Sequence, residues 1–487
     1  MPPISSRRVA PTAPPDLTGD AVATAAAYWD GWLAFRQRYD RTPGVQAALW
    51  HGDGIVRSTA HGLADAETGT ALTTEHLFRV ASHSKTFTAT AVLQLVEAGR
   101  VRLDDRLDAH LPFLAGHAVG ERTLRELLAH GGGVIRDGHD GDFWHLDRPF
   151  PDAAALADIA VDRADVLPAN QEFKYSNIAY GLVGQVIEAV TGEPYGTVVQ
   201  REIVDRLGLE HTGPELDPAR GSEYATGYSA LAYADARIPI EHIDTGALAP
   251  ATGFYSTAED LCRYVSAHFL GDERLLGDHA KRQLQRTEWA VAGGDTRYGL
   301  GFQIAEVGDR RLVGHSGGYP GHITRTLFDP EARLAVSVLT NAVDGPAQPL
   351  ANAAIRLVDL AARPAGTRPA LDVAAADRLC GRYANLWGVM DIARLGATLY
   401  ALDPTEDDPA AEPVTLEMTG PTTLVIGHEH GFGSTGETLQ LELGDDGRVR
   451  SGRGSSGLSW FPYDDFAAAA ATRDRVTLGA PLRPAAG

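Results

Sequence analysis

Ser82 and Lys85 stand three residues apart in Ser82-His83-Ser84-Lys85, where the spacing of apolar residues predicts an amphipathic helix over 82–98. Residues three apart share a helical face, so the hydroxyl and the amine become neighbours, a nucleophile beside a proton acceptor. The start of a helix adds backbone N–H groups and positive potential where an oxyanion would develop. Lysine is scarce here: Lys85, Lys174 and Lys281 are the three lysines among 43 basic residues. Arginine, which cannot lose its proton, supplies the rest of the positive charge. Lys281 reads as a survivor of that bias, and Lys174, opposite Tyr175 in an extended segment, as solvated.

Two further clusters carry chemistry. In Tyr175-Ser176-Asn177, a phenol beside a lysine ammonium can have its pKa lowered enough to take a serine proton, and the Asn177 amide can orient a substrate carbonyl or the lysine. Asn177 reads equally well as the N-cap of a helix over 178–190. Gly314-His315-Ser316-Gly317-Gly318 matches the nucleophile elbow G-x-S-x-G, which would make Ser316 the attacking residue. An elbow needs a helix directly after it, whereas the residues from Tyr319-Pro320-Gly321 to Thr326 read as loop and strand.

S-x-x-K, then Y-x-N about ninety residues on, then H-x-G on a late strand is the ordered signature of the penicillin-recognising serine hydrolases. Over about residues 25–360 the chain resembles their class C β-lactamase-like branch, which includes D-aminopeptidases, D-amino-acid amidases, esterases and penicillin-binding-protein-type thioesterases. Phe78-Arg79-Val80-Ala81, Val101-Arg102-Leu103-Asp104-Asp105, the run Gly253 to Leu261 and Tyr298-Gly299-Leu300-Gly301-Phe302 agree with it. The resemblance implies Ser82 as nucleophile, Lys85 and Tyr175 sharing the general-base role, and Asn177 positioning the substrate amide. It further implies an oxyanion hole from the N–H groups of Ser82 and Gly318, with His315 and Gly317 on the strand beside the substrate. His315 stands where many relatives carry lysine. A neutral or part-time cation grips a carboxylate less firmly, which favours amide or ester cleavage over penicillin hydrolysis. Leu128-Ala129-His130-Gly131-Gly132-Gly133-Val134 departs from the family's L-L-x-H-x-S/T-G; with Asp137, Asp142, Phe143 and Trp144 it is expected to shape the pocket.

The elements that must hold these residues read as α+β. Helix 21–39 and antiparallel strands over 45–77 come first, then a long helical middle, then strands at 298–305, 311–313, 324–328 and 334–339. Past 373, short strand candidates at 383–391, 398–402, 414–418, 423–426, 439–443 and 448–453 read as a small all-β module, which resembles the lipocalin-like barrels appended to several of these hydrolases. The expected domains are a loose arm at 1–20, a β-lactamase/transpeptidase-like hydrolase at 21–365 and the barrel at 373–487. Ser256-Thr257-Ala258-Glu259 reads as a capping box, and Trp387 and Trp460 as core aromatics.

Composition narrows the rest. The 487 residues carry 43 basic against 64 acidic side chains, a net charge of −21, so neither nucleic acid nor an anionic membrane is the expected partner. Two cysteines, Cys262 and Cys380, make no disulfide framework. His428-Glu429-His430 resembles half a zinc site without a third ligand, so no metal or other cofactor is expected. The first residues lack an apolar stretch after their arginine pair, which predicts a cytoplasmic protein without a signal peptide. Three functions remain open: a serine hydrolase acting on a small-molecule or peptide substrate, a thioesterase cyclising a peptide from a carrier protein, and a slowly acylating binding module.

Overall fold

The computed structural model describes residues 17–364, 370–427, 434–454, 457–478 and 480–484; the arm and the His428-Glu429-His430 pair fall outside them, apart from the arm's last residues. The chain divides into two units, one of Asp40–Ala351 and one that joins helix α1 (Gly19–Tyr39) to Asn352 and the residues beyond.

In the first unit, β1 (Gly44–His51) and β2 (Gly54–Asp65) form a hairpin across the Gly52-Asp53 turn. After a helical middle, β3 (Gln303–Val307), β4 (Arg310–Tyr319), β5 (His322–Asp329) and β6 (Leu334–Thr340) form a meander. β1 pairs with β6, Val45 opposite Thr340, so both ends of the unit complete one antiparallel sheet, nine-stranded among the described residues. The predicted α+β organisation is therefore the observed one. β4 is longer than its sequence suggests. Its Gly314 to Gly318 run carries little apolar periodicity, yet it pairs residue by residue with β5, because glycines here allow close backbone approach.

Helix α2 (Ser84–Glu97) is preceded by a single 3-10 turn, Ala81–His83. Its first ten residues are buried all round rather than on one face. Its threonines make this possible: Thr88 Oγ1 lies 2.7 Å from the Tyr195 hydroxyl and Thr90 Oγ1 3.0 Å from that of Tyr264, so their polar atoms are paired inside. Helix α3 (Asn177–Thr191) is capped by Ser176, whose Oγ accepts from Ala179 N at 2.9 Å, one residue before the cap expected at Asn177. Helix α4 (Ala258–Ser266) is capped by Thr257, not Ser256. Lys281 is fully buried, donating to Phe269 O at 2.8 Å and to Asp278 Oδ1 at 3.2 Å, so it ties down a loop rather than merely surviving a compositional bias.

The second unit is built on a closed up-and-down barrel of eight strands: β7 (Gly381–Asn385), β8 (Gly388–Leu395), β9 (Thr398–Leu402), β10 (Val414–Met418), β11 (Thr423–Ile426), β12 (Thr438–Leu443), β13 (Val449–Arg453) and β14 (Ser459–Pro462). β14 closes on β7 with Tyr383 opposite Pro462. Helix α1 belongs here and not with the hydrolase region, where local periodicity would leave it. Tyr28 donates to Asp391 Oδ2 at 3.0 Å, Trp32 Nε1 to Pro404 O at 3.0 Å and Arg36 to Glu406 O at 2.6 Å. Trp460 packs against the barrel core, but Trp387 is 83% exposed at the two-residue tip between β7 and β8, so the expectation of a core residue fails there. No helix among the described residues is long and apolar enough to cross a membrane.

Candidate active site

The chain reaches Ser82 through a tight turn. Ala81 adopts φ of 46°, a left-handed conformation that costs a non-glycine residue about 1 kcal/mol. Two bonds hold it: Ser84 Oγ donates to Ala81 O at 2.6 Å and accepts from Phe254 N at 3.0 Å. Phe78–Arg79 pairs with Tyr255–Ser256, which is how the Gly253 to Ser256 motif comes to buttress the nucleophile turn. On the other side β4 presses in. A Cβ on Gly317 would collide with Val80 O and with Thr324 Oγ1, so only glycine lets this strand lie against the turn.

Lys85 is fully buried. Its Nζ lies 2.7 Å from Asn177 Oδ1, 2.9 Å from Ala251 O and 3.2 Å from Ser82 Oγ. Burial pushes its pKa well below the usual lysine range, opposed by the Asp137 carboxylate. A neutral amine has two N–H donors and one lone pair. Asn177 and Ala251 offer only acceptors, so they take the donors and the lone pair is left for the Ser82 hydroxyl.

Tyr175 donates to Ser82 Oγ at 2.8 Å, while Lys85 Nζ sits 4.7 Å from the centre of its ring rather than at its hydroxyl. Burial raises the Tyr175 pKa above that of a free phenol, against the lowering influence of Ser82 and Arg136. The expectation of a phenolate prepared by the lysine charge is thereby corrected. In this geometry the phenol is a donor to Ser82 Oγ, and its pKa is raised and not lowered.

Asn177 was expected to hold the substrate amide or the lysine. Oδ1 accepts from Lys85 and Nδ2 donates one of its two hydrogens to Asp137 Oδ1 at 2.6 Å, so the lysine contact is present, and the residue also lines the cavity. Asp137 also accepts from Trp144 Nε1 at 3.1 Å and pairs with Arg136 at 3.1 Å. Asp137→Asn keeps an acceptor for Asn177 and Trp144 but removes the charge that raises the Lys85 pKa. The acid limb of the pH–rate profile is therefore expected to move to lower pH, and an unmoved or raised limb would assign it to another group.

His315 is buried, with Nδ1 donating to Ser316 O at 2.6 Å and Nε2 accepting from Tyr298 at 3.0 Å. Burial first, then His83 and Lys85, hold its pKa well below the usual histidine range. It is a neutral, doubly bonded ring and not a part-time cation. Ser316 lies within β4 with no helix after it, which removes the elbow. Ser82, Tyr175, Asn177, His315, Ser316 and Gly318 all line one cavity of about 360 Å³. Gly317 stands behind it, against Val80. Sequence reading missed Ala251 and Gln303, which carry no local signal, and gave Asp137 only a pocket-shaping part.

The beta-lactamase family model matches residues 33–360. Penicillin-binding protein 4 of Amycolatopsis lactamdurans is 26% identical over 334 residues, 65% of this chain and 85% of that protein. Among solved structures, SurE with D-Leu matches with a TM-score of 0.58 at 22% identity, covering 91% of this chain and all of the other. The D-amino acid amidase from Ochrobactrum anthropi SV3 matches with a TM-score of 0.56 at 25% identity, covering 68% of this chain and 98% of the other.

Proposed function

Because the chain belongs to the beta-lactamase family and is a serine hydrolase, we propose that it cleaves an amide or ester bond next to a D-configured residue through an acyl-enzyme on Ser82. The observation that carries this reading is the Ser82 oxygen held between a phenol donor at 2.8 Å and a buried lysine amine at 3.2 Å whose other contacts are all acceptors. As Oγ attacks the carbonyl carbon, its proton passes to the Lys85 lone pair. The negative charge gathers on the carbonyl oxygen, against the N–H groups of Ser82 and Gly318. Collapse breaks the bond to the leaving group, which takes its proton from Tyr175, and the Lys85 ammonium restores the phenol. Water then attacks the acyl carbon and passes a proton to Lys85; collapse breaks the bond to Ser82 Oγ, which takes that proton from Lys85 as the acid is released.

The amidase neighbour and the D-Leu named with SurE support a D-configured substrate. The engaged, neutral His315 supports a substrate that needs no permanent cation at that position. Intact-mass and peptide analysis after mixing with D-phenylalanine p-nitrophenyl ester is the test. The expected result is a D-phenylalanyl mass on the peptide containing Ser82 and faster turnover of D than of L amides. An adduct on the Ser316 peptide, or equal rates for both hands, defeats the reading. The same site serves an amine in place of water, and a cyclised product from a linear peptidyl thioester would identify that acceptor.

A further inference from the structure

His83, next to the nucleophile in the chain, is a buried ring that the acyl-transfer steps do not use. Its Nδ1 lies 3.0 Å from Val80 O and 3.2 Å from Thr324 Oγ1, and its Nε2 lies 2.9 Å from Thr326 Oγ1. Burial pulls its pKa down to about 3, so at neutral pH the ring is uncharged and carries one N–H. A carbonyl only accepts, which places that hydrogen on Nδ1, facing Val80 O. Nε2 is then an acceptor for the Thr326 hydroxyl, whose oxygen is left to accept from Ser337 at 3.0 Å. One residue of the 3-10 turn is thereby tied to two residues on one face of β5, which pair with Gly317 and His315 on β4.

The partners of Nδ1 are the same two atoms, Val80 O and Thr324 Oγ1, that close on Gly317 and exclude a side chain there. Val80 O also accepts from the His83 N–H at 3.1 Å. Among the described residues β3 pairs with β4 only as far as Gln303 opposite Gly314. Around Gly317, then, β4 is an edge strand whose seat against the nucleophile turn rests on those two atoms. Ser82 follows Val80 by two residues and Gly318 follows Gly317 by one, so the separation of their N–H groups is set where Val80 meets Gly317. A displacement of about 1 Å there is enough to cost about 10²-fold in rate. We propose that His83 is a positioning residue: by bridging Val80 O and Thr324 Oγ1 around Gly317, it fixes the spacing of the two N–H groups that receive the oxyanion. The proposal rests on the serine-hydrolase reading of Ser82 and adds the residue that keeps its two donors in register.

The test separates the two ring nitrogens in the full chain. An asparagine amide reaches about as far as Nδ1 and a glutamine amide about as far as Nε2. His83→Asn therefore keeps a donor for Val80 O, whereas His83→Gln keeps only the contact with Thr326. Two quantities are read: the maximal single-turnover acylation rate with D-phenylalanine p-nitrophenyl ester, and the dissociation constant of phenylboronic acid, which forms a tetrahedral anion on a serine oxygen. His83→Gln is expected to lower the rate about 10²-fold and to weaken the boronate by a similar factor, with the half-saturating ester concentration within about threefold of the wild type. His83→Asn is expected to stay within about threefold in both quantities. A merely structural ring would lower the melting temperature of both variants without dividing tetrahedral-state from ground-state binding. Thr324→Val is isosteric and removes one oxygen of the pair; an expected loss of about tenfold in both quantities keeps the test decisive where His83→Gln does not fold. An unchanged rate and boronate affinity in His83→Gln or Thr324→Val, equal losses in the Asn and Gln variants, or losses confined to the half-saturating concentration overturn the proposal while Ser82 remains reactive. If the ester acylates no Ser82 and Ser82→Ala binds the boronate as tightly as the wild type, the nucleophile itself is overturned, and this proposal with it.

Discussion

Replacing Lys85 by arginine is expected to lower kcat/KM by about 10³-fold or more, and replacing it by methionine by a similar factor. The two variants fail for different reasons. Methionine leaves Asn177 Oδ1 and Ala251 O without the donor they share at 2.7 and 2.9 Å, so its melting temperature is expected to fall as well. Arginine can still donate to both but has no lone pair for the Ser82 proton. Single-turnover acylation of each variant separates the alternatives. If Lys85 were only a cation holding its neighbours in place, arginine would retain most of the rate, and retention within about tenfold counts against the acceptor role. The wild-type rate is expected to rise with pH as the buried amine loses its proton, because burial favours the neutral form and only that form accepts.

Tyr175→Phe is expected to divide substrates by leaving group. With an amide, the departing nitrogen must be protonated, and loss of the phenol is expected to cost about 10²-fold or more in kcat. A p-nitrophenoxide leaves without a proton, so the ester is expected to lose less than about tenfold. The check is a paired measurement of acylation by D-phenylalanine anilide and D-phenylalanine p-nitrophenyl ester. Equal losses would return Tyr175 to a shared base role, the reading that its neighbour Lys85 first suggests. The direction of its pKa argues otherwise, because burial outweighs the hydrogen bond to Ser82 and the charge of Arg136.

What could be read before any coordinates followed from chemistry that is local in the chain. The Ser82 to Lys85 spacing delivers its contact because one helical turn is a fixed distance, and the contact holds although Ser82 lies in the 3-10 turn before α2. The partnership of Tyr175 with Ser82, 93 residues apart, came from the resemblance and not from any spacing. What stayed hidden depends on burial and on partners distant in sequence. Tyr175 was given a phenol of lowered pKa, because residue type says nothing of how far water is excluded. Asp137 pairs with Asn177, 40 residues away, and no periodicity encodes such a pairing. Trp387 fails for the opposite reason: an aromatic between two strands reads as core, but a two-residue hairpin tip has nothing to cover it.

Helix α1 and the barrel it joins are separated by the whole of the other unit. Trp32 and its acceptor Pro404 are 372 residues apart, and at about 5–20 residues per second a ribosome needs roughly 20 to 70 s to make that interval. Through that time the first helix has left the tunnel with Trp29 and Trp32 and without the strands that bury them. Its sequence must keep an apolar face in reserve until the barrel strands emerge, so the first element of this unit to be made waits on the later ones before it is buried.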